Sequence, residues 1–96
     1  DNYKLSNGKF VNVEELENKL KKYIKGPFIV FGENMLYNHI ICTETIDLDE
    51  INKNIDSYLK IINYHKIKLE KFERFYTPKM SIKRSKLIDY IINPIY

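Results

Sequence analysis

The fold depends on how one stretch, LKIINYHKIKLEKF over residues 59–72, is interpreted. It can be the middle of one long helix, or the end of a helix that runs into a strand. KLEKFER, residues 68–74, is rich in good helix formers and contains neither Gly nor Pro, which favours the helix. KIKLE alternates apolar and charged residues and places Ile67 opposite the apolar stripe, which favours a strand over 66–72. We favour the helix.

The reason is a heptad rhythm that runs through this stretch. From position 48 to position 76, steps of three and four residues alternate without a slip, as in helices that pack along one face. The heptad stripe consists of Leu48, Ile51, Ile55, Tyr58, Ile62, His65, Leu69, Phe72 and Tyr76. A helix over 48–76 would be about 43 Å long, against a diameter of about 32 Å for a compact domain of this length. It would therefore break near 63–65 or project towards a partner.

Signals for the other elements are local. Asn7-Gly8 suits a type I′ hairpin turn. Asn12 and Asp47 are each followed three residues later by Glu, the pattern of a helix N-terminus, and they predict helices over 13–25 and from 48. The apolar segments 27–31 and 35–46 predict two antiparallel strands. A last helix is predicted over 78–93, beginning at Pro78 or after Ser81.

These elements predict an α+β fold. A small antiparallel sheet from residues 3–11 and 27–46 would pack against three or four helices, and the C-terminal half would be a long helical region. With 66–72 as a strand, the alternative is a ferredoxin-like βαββαβ fold with an extra C-terminal helix. Ninety-six residues correspond to a single domain, 1–96, which we expect to be a fragment of a larger protein.

The composition indicates origin and compartment. Ile, Lys, Asn and Tyr supply nearly half of the chain, and Ala and Trp are absent, which is typical of an AT-rich genome such as that of a virus, a parasite or a low-GC bacterium. The one cysteine, Cys42, excludes an internal disulfide framework and favours an intracellular setting. No apolar run approaches the roughly 18 residues of a membrane span, so we expect no membrane partner.

No motif indicates catalysis. His39 and Cys42 are three residues apart on a predicted strand, so their side chains should point to opposite faces. His65 lies on the heptad stripe, where a packed histidine is the expectation. The acidic residues cluster at helix starts, where the helix dipole favours them, and the glycines form no phosphate-binding loop. We predict no enzyme activity, no metal site and no small-molecule cofactor.

Charge carries the functional prediction. Residues 60–86 contain nine basic residues against two acidic ones, Glu70 and Glu73. The basic residues are Lys60, Lys66, Lys68, Lys71, Arg74, Lys79, Lys83, Arg84 and Lys86. Such a cluster favours an anionic partner, and the sequence predicts a non-catalytic binding module that contacts nucleic acid through this face. The alternative is a protein–protein assembly domain, in which the heptad stripe forms a homodimer or docks on a protein partner.

Overall fold

The computed structural model describes residues 2–93, which form one two-stranded hairpin, one three-stranded sheet and four α-helices. The strands are β1 (Tyr3–Lys4), β2 (Phe10–Val11), β3 (Phe28–Phe31), β4 (Asn38–Cys42) and β5 (Ile61–Lys66). The helices are α1 (Val13–Leu20), α2 (Leu48–Lys53), α3 (Leu69–Glu73) and α4 (Arg84–Ile92), and a 3-10 turn covers Ser57–Leu59. The α+β class is confirmed.

The three-stranded sheet has the order β3-β4-β5. β3 is antiparallel to β4, whereas β5 is parallel to it, with Ile41 of β4 paired to both Ile29 and His65. The hairpin of β1 and β2 is a separate antiparallel pair. It is joined to the larger sheet by the Tyr3 hydroxyl, which donates a hydrogen bond of 2.6 Å to Oδ1 of the buried Asn38.

This sheet separates two apolar cores. On one face, Val30, Ile40 and Cys42 pack in a cluster that includes Leu16 of α1 and Ile51 of α2. On the other face lies a second cluster, formed by Ile29, Phe31, Ile41, Phe72 and Leu87. Because side chains alternate along a strand, residues 40 and 42 face the first core, and residue 41 faces the second.

Both helix starts expected from the sequence are confirmed. Asn12 Oδ1 accepts a hydrogen bond from the Glu15 amide, and Asp47 Oδ1 accepts one from the Glu50 amide, each over 3.1 Å. The hairpin is also confirmed, but its turn is not type I′, since Gly8 has a positive φ of 85° and Asn7 does not. A turn from Leu5 to Gly8 ending in a left-handed glycine is the usual longer variant.

The long helix over 48–76 was a wrong prediction. α2 ends at Lys53, the chain then forms a parallel strand over 61–66, and α3 begins only at Leu69. The stretch 59–72 therefore contains a strand followed by a helix. IINYH is rich in β-branched and aromatic residues, which suit a strand, and its backbone pairs with β4 in a parallel ladder. The Cα radius of gyration is 13.0 Å and the longest dimension 34 Å, too short for a rod of about 43 Å.

The ferredoxin-like alternative was also wrong. It placed a strand over 66–72, whereas β5 ends at Lys66, and the strands form two separate sheets rather than one of four strands. The predicted helices also extend further than the observed ones. α1 ends at Leu20 rather than near 25. α4 begins at Arg84, close to the alternative start after Ser81 and not at 78, because residues 76–82 form a turn closed by a bridge between Tyr76 and Ile82.

Side chains bond backbone groups at one residue on each edge of the three-stranded sheet. At β3, Glu17 Oε2 accepts a hydrogen bond of 2.8 Å from the Val30 amide. At β5, the Asn52 amide group bonds both the N–H and the C=O of Ile61, each over 2.9 Å. Unpaired strand edges invite pairing with another chain, so these bonds reduce the surface open to such pairing.

A candidate nucleic-acid interface

Four of the nine predicted basic residues line one surface groove of about 480 Å³. We call it the basic groove, and it is lined by Lys66, Ile67, Lys68, Glu70, Lys71, Arg74 and Tyr90. Its charged groups are four cations and one carboxylate, so its formal charge is +3 (4 − 1). Sequence reasoning identified the four cations, but it did not include Tyr90, which joins them through the packing of α4.

The groove arises where β5 passes into α3. The Ile67 amide donates to the Cys42 carbonyl over 2.9 Å, so the sheet ladder continues one residue beyond β5. Lys68 then adopts an extended backbone as the N-cap of α3. Phe72 anchors the short helix because it is completely buried in the second core. Because the side of α3 that carries Phe72 packs on the core, Lys68 and Arg74 remain exposed.

Tyr90 supplies an aromatic surface among the cations. Its side chain is 42% exposed, and the Lys71 ammonium lies over the ring at 5.4 Å from the centroid. Phe75 holds the tyrosine from the side, with ring centroids 5.6 Å apart and planes inclined by 47°. A cation over an aromatic face is an attractive arrangement, and it places charge and a stacking surface side by side.

Arg84 has a different role. Its guanidinium donates two hydrogen bonds to the Glu17 carboxylate, of 2.6 and 3.0 Å, and both side chains are largely buried. This bidentate pair ties α4 to α1. The remaining predicted cations lie outside the basic groove. Lys60 stands over the Tyr37 ring at 5.7 Å, and Lys79, Lys83 and Lys86 are exposed.

The heptad stripe is not a continuous surface. Ile51 and Phe72 are completely buried, and they belong to the two cores on opposite faces of the sheet. Leu48, Ile55, His65 and Tyr76 are half-buried, and Tyr58, Ile62 and Leu69 are exposed. Because the stripe is distributed over two helices, a turn and a strand, its even spacing no longer corresponds to one face.

The histidines occupy the sheet face of the second core. His39 contacts the Phe31 ring at 5.2 Å between centroids, whereas Cys42 belongs to the first core, so the predicted separation of these two residues is confirmed. Burial raises the pKa of the Cys42 thiol, whose sulfur lies 3.2 Å from the Glu44 carbonyl oxygen. The structure brings His39 instead to His65, a pairing that sequence spacing did not indicate, with 3.4 Å between His39 Nδ1 and His65 Nε2.

Within residues 2–93, no three or more His, Cys, Asp or Glu side chains are grouped so as to hold a metal ion. None of the helices over the same residues has the length and apolar character needed to cross a bilayer. Acidic side chains also bond backbone amides in other parts of the chain. Glu44, for example, accepts hydrogen bonds from the Lys25 and Gly26 amides.

No protein-family model, curated protein sequence or solved structure matches this chain.

Proposed function

We propose that this domain is a non-catalytic nucleic-acid-binding module, and that the basic groove is its contact surface. The observation that carries the proposal is the convergence of Lys66, Lys68, Lys71 and Arg74 on one groove that also contains an exposed tyrosine ring. Cations neutralise phosphates and release condensed counterions. An aromatic face between them stacks on unpaired bases.

The chemistry favours single-stranded nucleic acid. In a duplex the base faces are stacked on one another, so a tyrosine in the contact surface adds little, whereas a single strand offers a π-face at every nucleotide. In the bound state, Lys71 would move from the Tyr90 ring to a phosphate and a base would take its place. Contacts of this kind depend weakly on sequence and strongly on salt.

The basic groove contains only four of the nine predicted cations. Arg84 is bonded to Glu17, so we assign it to stability. Lys60, Lys79, Lys83 and Lys86 would act at longer range, by attracting the polyanion before contact. A nucleic-acid partner is consistent with an intracellular protein, in which the buried thiol of Cys42 would also remain reduced.

The first experiment measures how affinity depends on salt. Fluorescence anisotropy with labelled oligo(dT) and oligo(U), between about 50 and 200 mM salt, should give a log–log slope near −2.8 if four phosphates are contacted on a single strand. Lys68→Gln combined with Arg74→Gln should reduce the slope to about −1.4. The matched control is Lys21→Gln with Lys22→Gln, which removes the same charge from exposed positions elsewhere and should leave the slope unchanged.

The second experiment tests the ring. Tyr90→Leu should weaken binding by about 1–3 kcal/mol, the usual contribution of one stacked base. Tyr90→Phe keeps the ring and should keep the affinity. If the protein binds neither single strands nor duplex at about 50 mM salt, the proposed function is wrong. If the two double variants weaken binding equally, affinity depends only on the net charge of the protein, and the basic groove is not the binding site.

A further inference from the structure

His39 and His65 form a second cluster that the proposed function does not use. They lie on the neighbouring strands β4 and β5, and the pairing of Ile41 with His65 places them diagonally on one face of the sheet. Their ring centroids are 5.5 Å apart and their planes differ by 19°. The Phe31 ring of β3 completes the group, with its centroid 5.2 Å from that of His39 and 5.8 Å from that of His65.

The separation of the facing nitrogens can be compared with metal geometry. Zinc binds histidine nitrogen at about 2.0–2.1 Å, so two ligands on a tetrahedral ion have nitrogens about 3.3–3.4 Å apart. Adjacent ligands in a square-planar site would be about 2.8–3.0 Å apart. The observed 3.4 Å between His39 Nδ1 and His65 Nε2 fits the tetrahedral value. A hydrogen bond between the rings, whose donor depends on the tautomer, has the same length. An ion would replace that hydrogen bond, and the donor ring would then carry its proton on the outer nitrogen instead.

Access also suits a ligand pair. Both side chains remain partly exposed, so an ion can enter from solvent and water can complete its coordination.

We propose that His39 Nδ1 and His65 Nε2 chelate a tetrahedral divalent transition-metal ion, Zn²⁺, with two coordination positions left open to water. This site is separate from the basic groove. It would bind a metal ion through two ring nitrogens, whereas the basic groove would bind a polyanion through positive charge. Two protein ligands are fewer than the four of a structural zinc site. The ion would therefore exchange with solvent, and the apo protein would stay folded.

The test is a titration of the metal-free protein with ZnCl₂ at about pH 7, followed by calorimetry and by ¹⁵N NMR of the imidazoles. One equivalent should bind, and the His39 Nδ1 and His65 Nε2 resonances should shift more than the other two ring nitrogens. His39→Ala and His65→Ala should each weaken binding more than tenfold, at least as much as the loss of an outer-shell partner. The control, Cys42→Ser, removes the one thiol and should leave the affinity unchanged.

Three results would overturn the proposal. The first is that the unmodified protein shows no saturable Zn²⁺ binding. The second is that His39→Ala and His65→Ala each bind Zn²⁺ as tightly as the unmodified protein. The third is that Cys42→Ser abolishes Zn²⁺ binding. If an alanine variant does not fold, as judged by circular dichroism, the NMR shifts of the unmodified protein decide alone. A shift of the outer nitrogens, with the facing pair unchanged, rejects the site.

Discussion

Glu17 connects three parts of the chain through one carboxylate. It belongs to α1, its Oε2 accepts the Val30 amide of β3, and both of its oxygens accept the Arg84 guanidinium of α4. A hydrogen bond to a charged group contributes more than a neutral one, and the side chain of Glu17 is 14% exposed, which limits screening by solvent. A glutamate that sequence reasoning assigned to the helix dipole is therefore also a link between elements.

The ion pair with Glu17 gives Arg84 a structural role, whereas Arg74 belongs to the basic groove. Arg84→Gln removes the bidentate pair and should lower the free energy of unfolding by about 1–3 kcal/mol, because the Glu17 carboxylate loses its charged partner. Affinity for nucleic acid should not change. Arg74→Gln, at an exposed position of the basic groove, should do the reverse. Urea unfolding and anisotropy on both variants check the assignment. Equal loss of affinity in the two variants would contradict it.

The histidine pair predicts a dependence of stability on pH. The pKa values of His39 and His65 are lower in the folded state than in the unfolded chain, mainly because of burial. The folded state therefore binds fewer protons. The associated stability is fully present above the unfolded value of about 6.5, and it is lost as pH falls through the lower folded values.

Urea unfolding in metal-free buffer should accordingly give a smaller free energy at about pH 5.5 than at about pH 7.5. Other groups also titrate, so the informative quantity is the difference from a variant. His39→Gln combined with His65→Gln should show a weaker decline over the same interval. If the two proteins decline in parallel, the histidines do not cause the effect.

At the scale of elements, α3 shows how two residues of one predicted stripe differ. Phe72 is completely buried in the second core, whereas Leu69, three residues earlier, is 49% exposed. Phe72→Ala should lower the free energy of unfolding by about 3–5 kcal/mol. Leu69→Ala, on the same helix, should change it by less than about 1 kcal/mol. Thermal unfolding of the two variants measures the contrast. Comparable small effects would mean that Phe72 is not core.

Elements with local signals were predictable, and the one that depends on distant pairing was not. Asn12 and Asp47 mark helix starts because a side-chain oxygen reaches an amide three residues away. The identity of 61–66 as a strand depends on β4, some twenty residues earlier, whose free edge accepts it. The β-branched and aromatic residues of IINYH suit a strand, but the same residues also continue the heptad rhythm, so the local signals conflicted.

In the candidate sites, too, some residues could be predicted from the sequence and others could not. Lys66, Lys68, Lys71 and Arg74 are close in sequence, and a strand followed by a helix brings them to one groove. Tyr90 and the His39–His65 pair are long-range neighbours, created by the packing of α4 and by a parallel register. Charge clusters could therefore be read from the sequence, whereas the ring in the basic groove and the chelating pair required the fold.

For the whole molecule, these features predict a monomer. The assembly hypothesis needed one continuous apolar face, but the heptad stripe contributes to two opposed cores, and only Tyr58, Ile62 and Leu69 are exposed. Edge pairing is opposed at β3 by Glu17 and at β5 by Asn52, whose side chains occupy backbone groups that a second copy would need.

Light scattering in metal-free buffer should give a mass near the 11.6 kDa of one chain, independent of protein concentration. Asn52→Ala frees both backbone groups of Ile61 at the edge, and it is the variant in which association should first appear. Asn54→Ala, which removes a hydrogen bond within α2 and its cap, is the control and should remain monomeric. A concentration-dependent dimer of the unmodified protein that Ile62→Lys abolishes would show that the exposed part of the stripe is an interface after all.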